Sequence, residues 1–407
     1  MGCEQSHESA ARGDAITSPA EEQVEPASPL YLTASRMAAD GGIVPSLDGL
    51  RALSILQVMS AHYVNKALFP GGFGVLVFFV ISGFLITRLL FAEAKAAGRI
   101  SLANFYARRI LRLYPAVVVY TIVVCAIFLA LKPRAFGALQ PLSALFYFTN
   151  YLRDFTELHG RVFSMPFNHF WSLSVEEHFY ILFPPLFLLG WRRPARLLTV
   201  LAAISVLALL LRLIGAALHP EWLTSEHFYE RTEFRMDSLA AGVMLACACE
   251  LPRGRAWLLR LAHPLWFGGA LAVVLVCFAI RDVWFRETVR YTLFNISVVA
   301  CLAGTLFSDR LLWINRILNS NVAAWIGRLS YSLYVWHEVP ILLVRIFGLR
   351  HMPRPVLWVF EYTLAFGIAC LSYYLIERSV LGLRKRFGSR TAIAHEAPDG
   401  PAAAMTR

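Results

Sequence analysis

The sequence predicts an all-α, polytopic membrane protein: a helical bundle of about ten transmembrane helices with both termini in the cytoplasm. The 407-residue chain is 57% hydrophobic and only 16% charged, far more apolar than a soluble protein of this length. Apolar stretches long enough to cross about 30 Å of hydrocarbon recur along it. Basic residues cluster in alternate connections between these stretches, which the positive-inside rule associates with the cytoplasmic side.

The apolar stretches of spanning length begin near residues 49, 73, 113, 171, 196, 235, 261, 291, 322 and 356. A further candidate at residues 139–152 is short and has polar residues at its ends. If that candidate crossed the membrane, the basic segment 191–196 would lie outside. The charge distribution therefore favours ten helices, with residues 139–169 forming a long excursion on the outer face.

Both ends of the chain differ from its apolar body. Residues 1–42 are rich in Ala, Glu, Ser and Pro and are expected to be a disordered cytoplasmic tail. Residues 43–383 form the transmembrane domain, and 384–407 are expected to be a basic cytoplasmic tail. The net charge of +11 comes from short clusters between apolar runs, which argues against nucleic acid as a partner. The seven cysteines show no paired zinc-site spacing, and we expect no metal.

The first span carries three ionisable side chains: Asp48, Arg51 and His62. Such groups are costly in lipid and usually have a function. Arg51 and His62 are eleven residues apart, about 16 Å of helix rise, so they share a face at opposite depths. Asp48 lies three residues before Arg51, close enough to pair with it. The alternative is an interfacial Asp–Arg anchor and an unrelated histidine.

The second and third spans suggest a place for an extended anionic ligand. Ser82 and Gly83 are small residues in mid-span, which would let a narrow ligand or another helix approach the backbone. The following segment is strongly basic, with Arg88, Arg108 and Arg112 among its arginines. An arginine fork there could hold phosphates, although topology alone explains part of the charge.

The fourth span opens with Trp171, followed by Glu176 and Tyr180. A carboxylate inside a span needs a partner or a task. Glu176 is expected about one turn into this span on its outer side, which is the depth expected for His62. A glutamate beside a histidine suits general base catalysis on a hydroxyl. The alternative is an interfacial aromatic belt with two acids that reach water.

Two later groups of polar residues are candidates for substrate contact. Arg235 and Asp237 enter the sixth span and could line a polar cleft or cap a helix. Tyr334 and His337, three residues apart, share a face of the ninth span. They suggest a water-filled cavity, or else hydrogen bonds between helices.

These residues together resemble the acyltransferase 3 family of membrane O-acyltransferases. The matching segments occur in family order and include Leu47 to Ala52 with His62, Phe78 to Phe84, Arg108 with Arg112, Trp171 to Tyr180, Arg235 with Asp237, and Ser330 to His337.

The resemblance implies an O-acyltransferase that moves an acyl group from cytoplasmic acyl-CoA, acetyl-CoA first of all, to a hydroxyl of a carbohydrate or glycolipid. It implies ten helices in the bilayer, and for this chain we expect the cytoplasmic membrane of a bacterium. The rival interpretation is a carrier or flippase for an anionic or sugar-lipid solute, because intramembrane charges also mark transport paths.

The resemblance also implies roles for individual residues. The catalytic residues would be His62 as base, Glu176 and Arg51, with Arg51 also serving acyl-CoA. The donor would bind through Arg88, Arg108, Arg112, Ser82 and Gly83. The substrate-binding residues would be Asp48, Trp171, Tyr180, Arg235, Asp237, Tyr334 and His337.

Two further expectations concern the reaction as a whole. Transfer from the thioester could be direct or could pass through an acylated enzyme group, and the sequence leaves both routes open. Larger family members carry a soluble esterase-like domain after the last helix, and residues 391–407 are too few for one. We therefore expect the membrane domain or a separate protein to complete the transfer.

Overall fold

The computed structural model describes residues 46–131, 137–159 and 166–384, and every regular element within these ranges is a helix. The predicted tails, 1–42 and 384–407, lie outside the described residues except for Arg384. In chain order the α-helices are α1 Leu47–Tyr63, α2 Gly71–Ala97, α3 Leu102–Leu131, α4 Leu139–Leu145, α5 Thr149–Leu158, α6 Phe170–Gly190, α7 Pro194–Leu218, α8 His227–Glu230, α9 Thr232–Glu250, α10 Pro252–Leu261, α11 Pro264–Ala279, α12 Val283–Glu287, α13 Val289–Phe307, α14 Leu312–Leu318, α15 Asn321–Trp336, α16 Glu338–Ile346, α17 Arg354–Ser372 and α18 Arg378–Arg384.

All ten apolar stretches are helical, and nine of the helices begin within three residues of the predicted positions. The exception is α3, which begins at Leu102 rather than near residue 113. The basic segment therefore does not precede this helix. Arg108 and Arg112 lie inside its first turns, one turn apart on the same face.

Five helices are long and apolar enough to cross a membrane by length and composition. They are Gly71–Ala97, Leu102–Leu131, Pro194–Leu218, Val289–Phe307 and Arg354–Val380. A sixth span results if α10 and α11, bent by 71° at their junction, count as one. Other predicted spans are short, such as α1 with 17 residues and α15 with 16. Ten spans and the orientation of the termini thus stay predictions.

Glycines bring the central helices into close contact. A Cβ on Gly83 of α2 would lie 2.0 Å from the carbonyl oxygen of Leu239 in α9. In the same interface, a Cβ on Gly242 would lie 1.9 Å from the carbonyl oxygen of Val80. Since only glycine fits at such distances, α2 and α9 pack backbone against backbone. Helices α1 and α15 approach equally closely, with Gly327 against the backbone of Asp48.

The predicted excursion 139–169 contains two short helices, α4, which packs on α3 and α5, and α5, which packs on α6 and α8. His227 Nδ1 lies 2.6 Å from the carboxylate of Asp154, and Asn150 donates to the hydroxyl of Thr232 at 2.9 Å. Arg153 forms a buried ion pair with Glu230. Burial raises the pKa of Glu230 well above its ordinary value, and the Arg153 guanidinium opposes that shift. These contacts fix α5 beside the candidate site.

Candidate active site

Two histidine rings meet at the end of α1. His62 and His337 are stacked, with ring centroids 5.0 Å apart, and Nδ1 of His62 lies 3.0 Å from Nε2 of His337. Nδ1 of His337 lies 2.6 Å from the backbone carbonyl oxygen of Tyr334. The hydroxyl of Tyr63 donates to the backbone carbonyl of His337 at 2.7 Å, so the second histidine is held from both sides.

This chain of contacts assigns the protons of a neutral histidine pair. A carbonyl oxygen only accepts, so Nδ1 of His337 must carry its proton and Nε2 must hold a lone pair. That lone pair can accept only from a protonated Nδ1 of His62. The remaining nitrogen of His62, Nε2, is then unprotonated and able to accept a proton.

His337 lies at the junction between two helices. Helix α15 ends at Trp336 and α16 begins at Glu338. Pro340 has no amide hydrogen to donate to the carbonyl of Trp336, which favours a break between the two helices. His337 keeps helical backbone angles, and its ring lies 5.4 Å from that of Tyr334, so the two side chains share a face as their spacing predicted.

A third histidine supports the pair. The ring of His169 lies 5.1 Å from that of His337, and its Nε2 contacts the carbonyl oxygen of Val335 at 3.0 Å. Tyr334 is hydrogen-bonded to the hydroxyl of Ser172 at 2.5 Å and donates to the carbonyl of His169 at 3.0 Å. The start of α6 is thereby tied to the end of α15.

His62 lines a cavity of about 1170 Å³. Trp171 and Tyr334, both predicted to bind substrate, also line it, whereas His337 lies behind His62 and does not. The lining combines apolar and aromatic surface with charged groups of both signs, among them Lys66, Arg153, Glu230, Glu287, Arg290 and Glu338. A cavity lined by aromatic and polar groups suits a sugar or another polar ligand.

The expected contact between Glu176 and His62 is not made. Glu176 accepts a hydrogen bond from Tyr180 and lies 3.8 Å from Arg109. Helix α6 begins at Phe170, so Glu176 is nearly two turns inside it, about 9 Å beyond the helix start. The prediction placed this carboxylate too close to the histidine end of the bundle.

Arg109 belongs to the basic segment that could form an arginine fork, but it was not among the site residues predicted from the sequence. Its guanidinium carbon lies 3.5 Å from the ring centroid of Tyr180, a cation–π contact within a buried cluster. Ser82 lies beside Tyr180 on the facing helix. Gly83 points elsewhere, because its backbone packs on α9, so it serves helix packing rather than a ligand channel.

The other predicted donor residues lie at the opposite end of the bundle from His62. Arg108 forms an ion pair with Glu93 at 2.6 Å, and Arg88 stacks over Phe84 at 5.8 Å. Within the described part of the chain, Arg88, Arg108 and Arg112 do not line the cavity around His62.

Arg51 and Arg112 both lie within electrostatic reach of one carboxylate, Glu377, which the sequence did not single out. Ser332 donates a hydrogen bond to it, and the hydroxyl of Ser372 lies 3.5 Å away. Asp48 forms no ion pair with Arg51 among the described residues. It lies fourteen residues from His62 in α1, about 21 Å of helix rise, and so cannot reach the His62 cavity.

The pair Arg235 and Asp237 is buried, not exposed in a cleft. Asp237 binds Arg212 at 2.8 Å, and neither side chain is more than 2% exposed. Arg235 is fully buried and stacks over Tyr291 at 4.2 Å. Contact of either residue with a substrate would require a rearrangement, so their predicted role in substrate binding stays a prediction.

Comparison with known proteins decides the family. The model of the acyltransferase domain of the acyltransferase 3 family matches residues 44–377, most of the chain. The chain belongs to the acyltransferase 3 family. Its apolar helices and its family identify it as an integral membrane protein. No solved structure matches it.

Relatives of this acyltransferase 3 chain occur in Staphylococcus aureus. A protein of strain COL, provisionally named an O-acetyltransferase, is 31% identical over 351 residues, covering 82% of this chain and 56% of the relative. O-acetyltransferase OatA of strain NCTC 8325 is 30% identical over 355 residues, covering 83% of this chain and 57% of OatA. The chain spans a little over half the length of these curated relatives.

Several residues of this acyltransferase 3 site were not among the site residues predicted from the sequence. His169 and Glu338 stand next to predicted positions, and their ionisable side chains in apolar surroundings were the available signal. Arg153 stands at the end of the doubtful segment 139–152 and was used only to judge whether that segment crosses. Glu377 had no motif around it.

Proposed function

We propose that this protein is a membrane-bound O-acyltransferase that moves an acyl group, acetyl in the first instance, from acyl-CoA to a hydroxyl of a sugar. The acceptor would be a cell-surface polysaccharide, a lipid-linked glycan or a glycosylated metabolite. The observation that carries the proposal is His62, whose Nε2 is left unprotonated by its partner and whose ring lines a cavity of about 1170 Å³. Family membership and relatives named as O-acetyltransferases support it.

In the proposed reaction Nε2 of His62 removes the proton of the acceptor hydroxyl while that oxygen attacks the thioester carbonyl. The carbon–sulfur bond breaks, and the proton held by His62 can pass to the departing thiolate. His337 stabilises the imidazolium through its accepting Nε2 and is itself oriented by the carbonyl of Tyr334. The aromatic face of Trp171 and the polar lining suit a sugar ring.

The donor would bind with its phosphates at the arginine-rich end and extend its thioester toward His62. Arg88, Arg108 and Arg112 are the proposed phosphate ligands, and Arg51 would assist through its position beside Arg112 and Glu377. The arm would pass Ser82 and the cluster of Glu176, Tyr180 and Arg109. This route requires a movement of that cluster, because the cavity around His62 does not extend to Arg88, Arg108 or Arg112.

We further propose ten spans in the cytoplasmic membrane of a bacterium, with both termini in the cytoplasm and the His62 cavity facing outward. A cysteine at position 193 should then be shielded from an impermeant thiol reagent in intact cells, whereas one at position 159 should react. Both positions are exposed in the structure, so access depends on the side of the membrane. Labelling of the parent chain measures the reaction of its native cysteines. Labelling of the cysteine at position 193 in intact cells would contradict the ten-helix arrangement.

The double variant Arg108→Lys, Arg112→Lys should insert normally yet bind acetyl-CoA about tenfold more weakly or worse. An ammonium group lacks the planar paired donors that match a phosphate, while the positive-inside effect treats Lys and Arg alike. Calorimetry with CoA and dephospho-CoA measures the loss, and Arg99→Lys, an exposed arginine of the same segment, is the matched control. If the double variant binds acetyl-CoA as tightly as the parent does, Arg108 and Arg112 serve only to orient the chain in the membrane.

The proposed activity is tested directly with detergent-purified protein and radiolabelled acetyl-CoA. The expected result is saturable binding with slow hydrolysis, and transfer when an acceptor glycan is added. Mass spectrometry of surface glycans and secreted metabolites from a deletion strain should show the loss of one acyl mass. Absence of acetyl-CoA binding and of any lost acyl mass would contradict the proposal.

A further inference from the structure

A buried carboxylate, that of Glu338, lies beside the histidine pair, and the proposed reaction does not use it. Glu338 follows His337 in sequence, is only 4% exposed, and its Oε2 has no hydrogen-bond partner. One ligand atom each from His62, His337 and Glu338 lie within 4.8 Å of one another. A buried, unpartnered carboxylate oxygen beside two imidazole nitrogens is an unusual arrangement, because buried polar atoms are normally satisfied.

The spacing of the two nitrogens fits a metal ion. Nδ1 of His62 and Nε2 of His337 are 3.0 Å apart. Two nitrogens bound tetrahedrally to Zn²⁺ at about 2.05 Å lie about 3.3 Å from each other, so a small opening of the pair would admit the ion. Glu338 would complete a two-histidine, one-carboxylate set, and the cavity beside His62 would leave a fourth position for water.

His337 is already in the protonation state of a ligand. Histidines that bind metals usually donate their second ring nitrogen to a carbonyl or carboxylate, which fixes the ring and its tautomer. His337 does this through Nδ1 and the carbonyl of Tyr334, which leaves the Nε2 lone pair available. His62 would have to move its proton from Nδ1 to Nε2 in order to bind.

We propose that His62, His337 and Glu338 form a site for Zn²⁺ or a similar late first-row cation, and that the bound ion inhibits the enzyme. The inhibition rests on the proposed function, because His62 bound through Nδ1 carries its proton on Nε2 and can no longer act as a base. Nitrogen ligands favour Zn²⁺ and Co²⁺ over Mg²⁺ and Ca²⁺. Lys66, Arg153 and Arg345 lie near Glu338 and oppose a cation, so affinity should fall below that of structural zinc sites.

The sequence interpretation expected no metal, and the distance along the chain explains why. His62 and His337 are 275 residues apart, so no short spacing of ligands exists to be recognised. Only the packing of α1 against α15 and α16 brings the three side chains together.

The site is tested by titrating Co²⁺ into full-length, detergent-purified protein that carries no polyhistidine tag and has been treated with chelator. We expect saturable binding of one ion per chain with the visible absorption of tetrahedral Co²⁺, displaced by Zn²⁺ but not by Mg²⁺. His337→Ala should abolish the signal. Glu338→Gln, nearly isosteric, should weaken binding about 10- to 100-fold. Glu287→Gln, a carboxylate elsewhere on the cavity wall, should bind like the parent.

Absence of saturable binding in the parent, or equal binding by the parent and Glu338→Gln, would overturn the site. Acetyl transfer with added Zn²⁺ supplies the second measurement, where inhibition is expected and stimulation would contradict the inhibitory role. The titration does not depend on enzyme activity. The protein can therefore transfer acyl groups without binding the metal, or bind the metal without transferring acyl groups, and the two results are distinguishable.

Discussion

Replacement of His62 by alanine should reduce acetyl transfer by about two to four orders of magnitude, which corresponds to about 3 to 5 kcal/mol of transition-state stabilisation. His62 is the imidazole that lines the cavity, and the hydrogen bond to His337 leaves its Nε2 ready to accept a proton. Initial rates with radiolabelled acetyl-CoA and saturating acceptor measure the loss. Donor affinity should stay near the parental value, because the proposed phosphate ligands lie at the other end of the bundle.

The control for this experiment is His351→Ala. His351 is exposed in a short turn after α16, and its Nδ1 lies 2.9 Å from the carbonyl oxygen of Gly348. Membrane levels and gel-filtration profiles of both variants should match the parent. If His62→Ala turns over at a near-normal rate, the base must be sought among the other polar residues of the cavity, and the proposed reaction loses its central residue.

The helices were accessible to sequence analysis because hydropathy and helix periodicity are local properties. The apolar stretches are therefore found where they were predicted, and α3 starts earlier only because its first turns are basic rather than apolar. Which of these helices cross a membrane is a different question. α1, at 17 residues with Asp48 and Arg51 in its first turns, shows why length and composition alone do not answer it.

The candidate site was predictable in its residue types but not in its pairings. Periodicity along α1 assigns a face to His62, yet its partner is set by how closely α1 packs on α15, where Gly327 admits the backbone of Asp48. Glu176 shows the same limit, because depth within α6 depends on where that helix starts and what its first turn contacts. Pro340 marks the junction between α15 and α16 in the sequence, but it does not indicate which helix His337 contacts.

The second large effect is expected at His337, and it separates orientation of the base from mere packing. In the proposed mechanism this residue acts through His62, since Nε2 of His337 accepts from Nδ1 of His62. Removal of that acceptor lets His62 adopt the wrong tautomer, with its proton on Nε2. In a serine protease triad, imposing the wrong tautomer costs about four orders of magnitude, which sets an upper limit here. His337→Asn should therefore lower kcat by about 10² to 10⁴ while KM for the donor changes little.

Asparagine and glutamine place their polar atoms differently at this position. Asn can still donate to the carbonyl of Tyr334 as Nδ1 of His337 does, but it has no atom at the Nε2 position. Gln reaches that position with an oxygen that can accept from His62, so His337→Gln should keep the active tautomer and retain at least tenfold more activity than His337→Asn. A residue that served only packing would give two similar variants, because both side chains are amides of comparable size. Equal kcat values for Asn and Gln, in protein that is equally stable, would show that His337 does not orient His62.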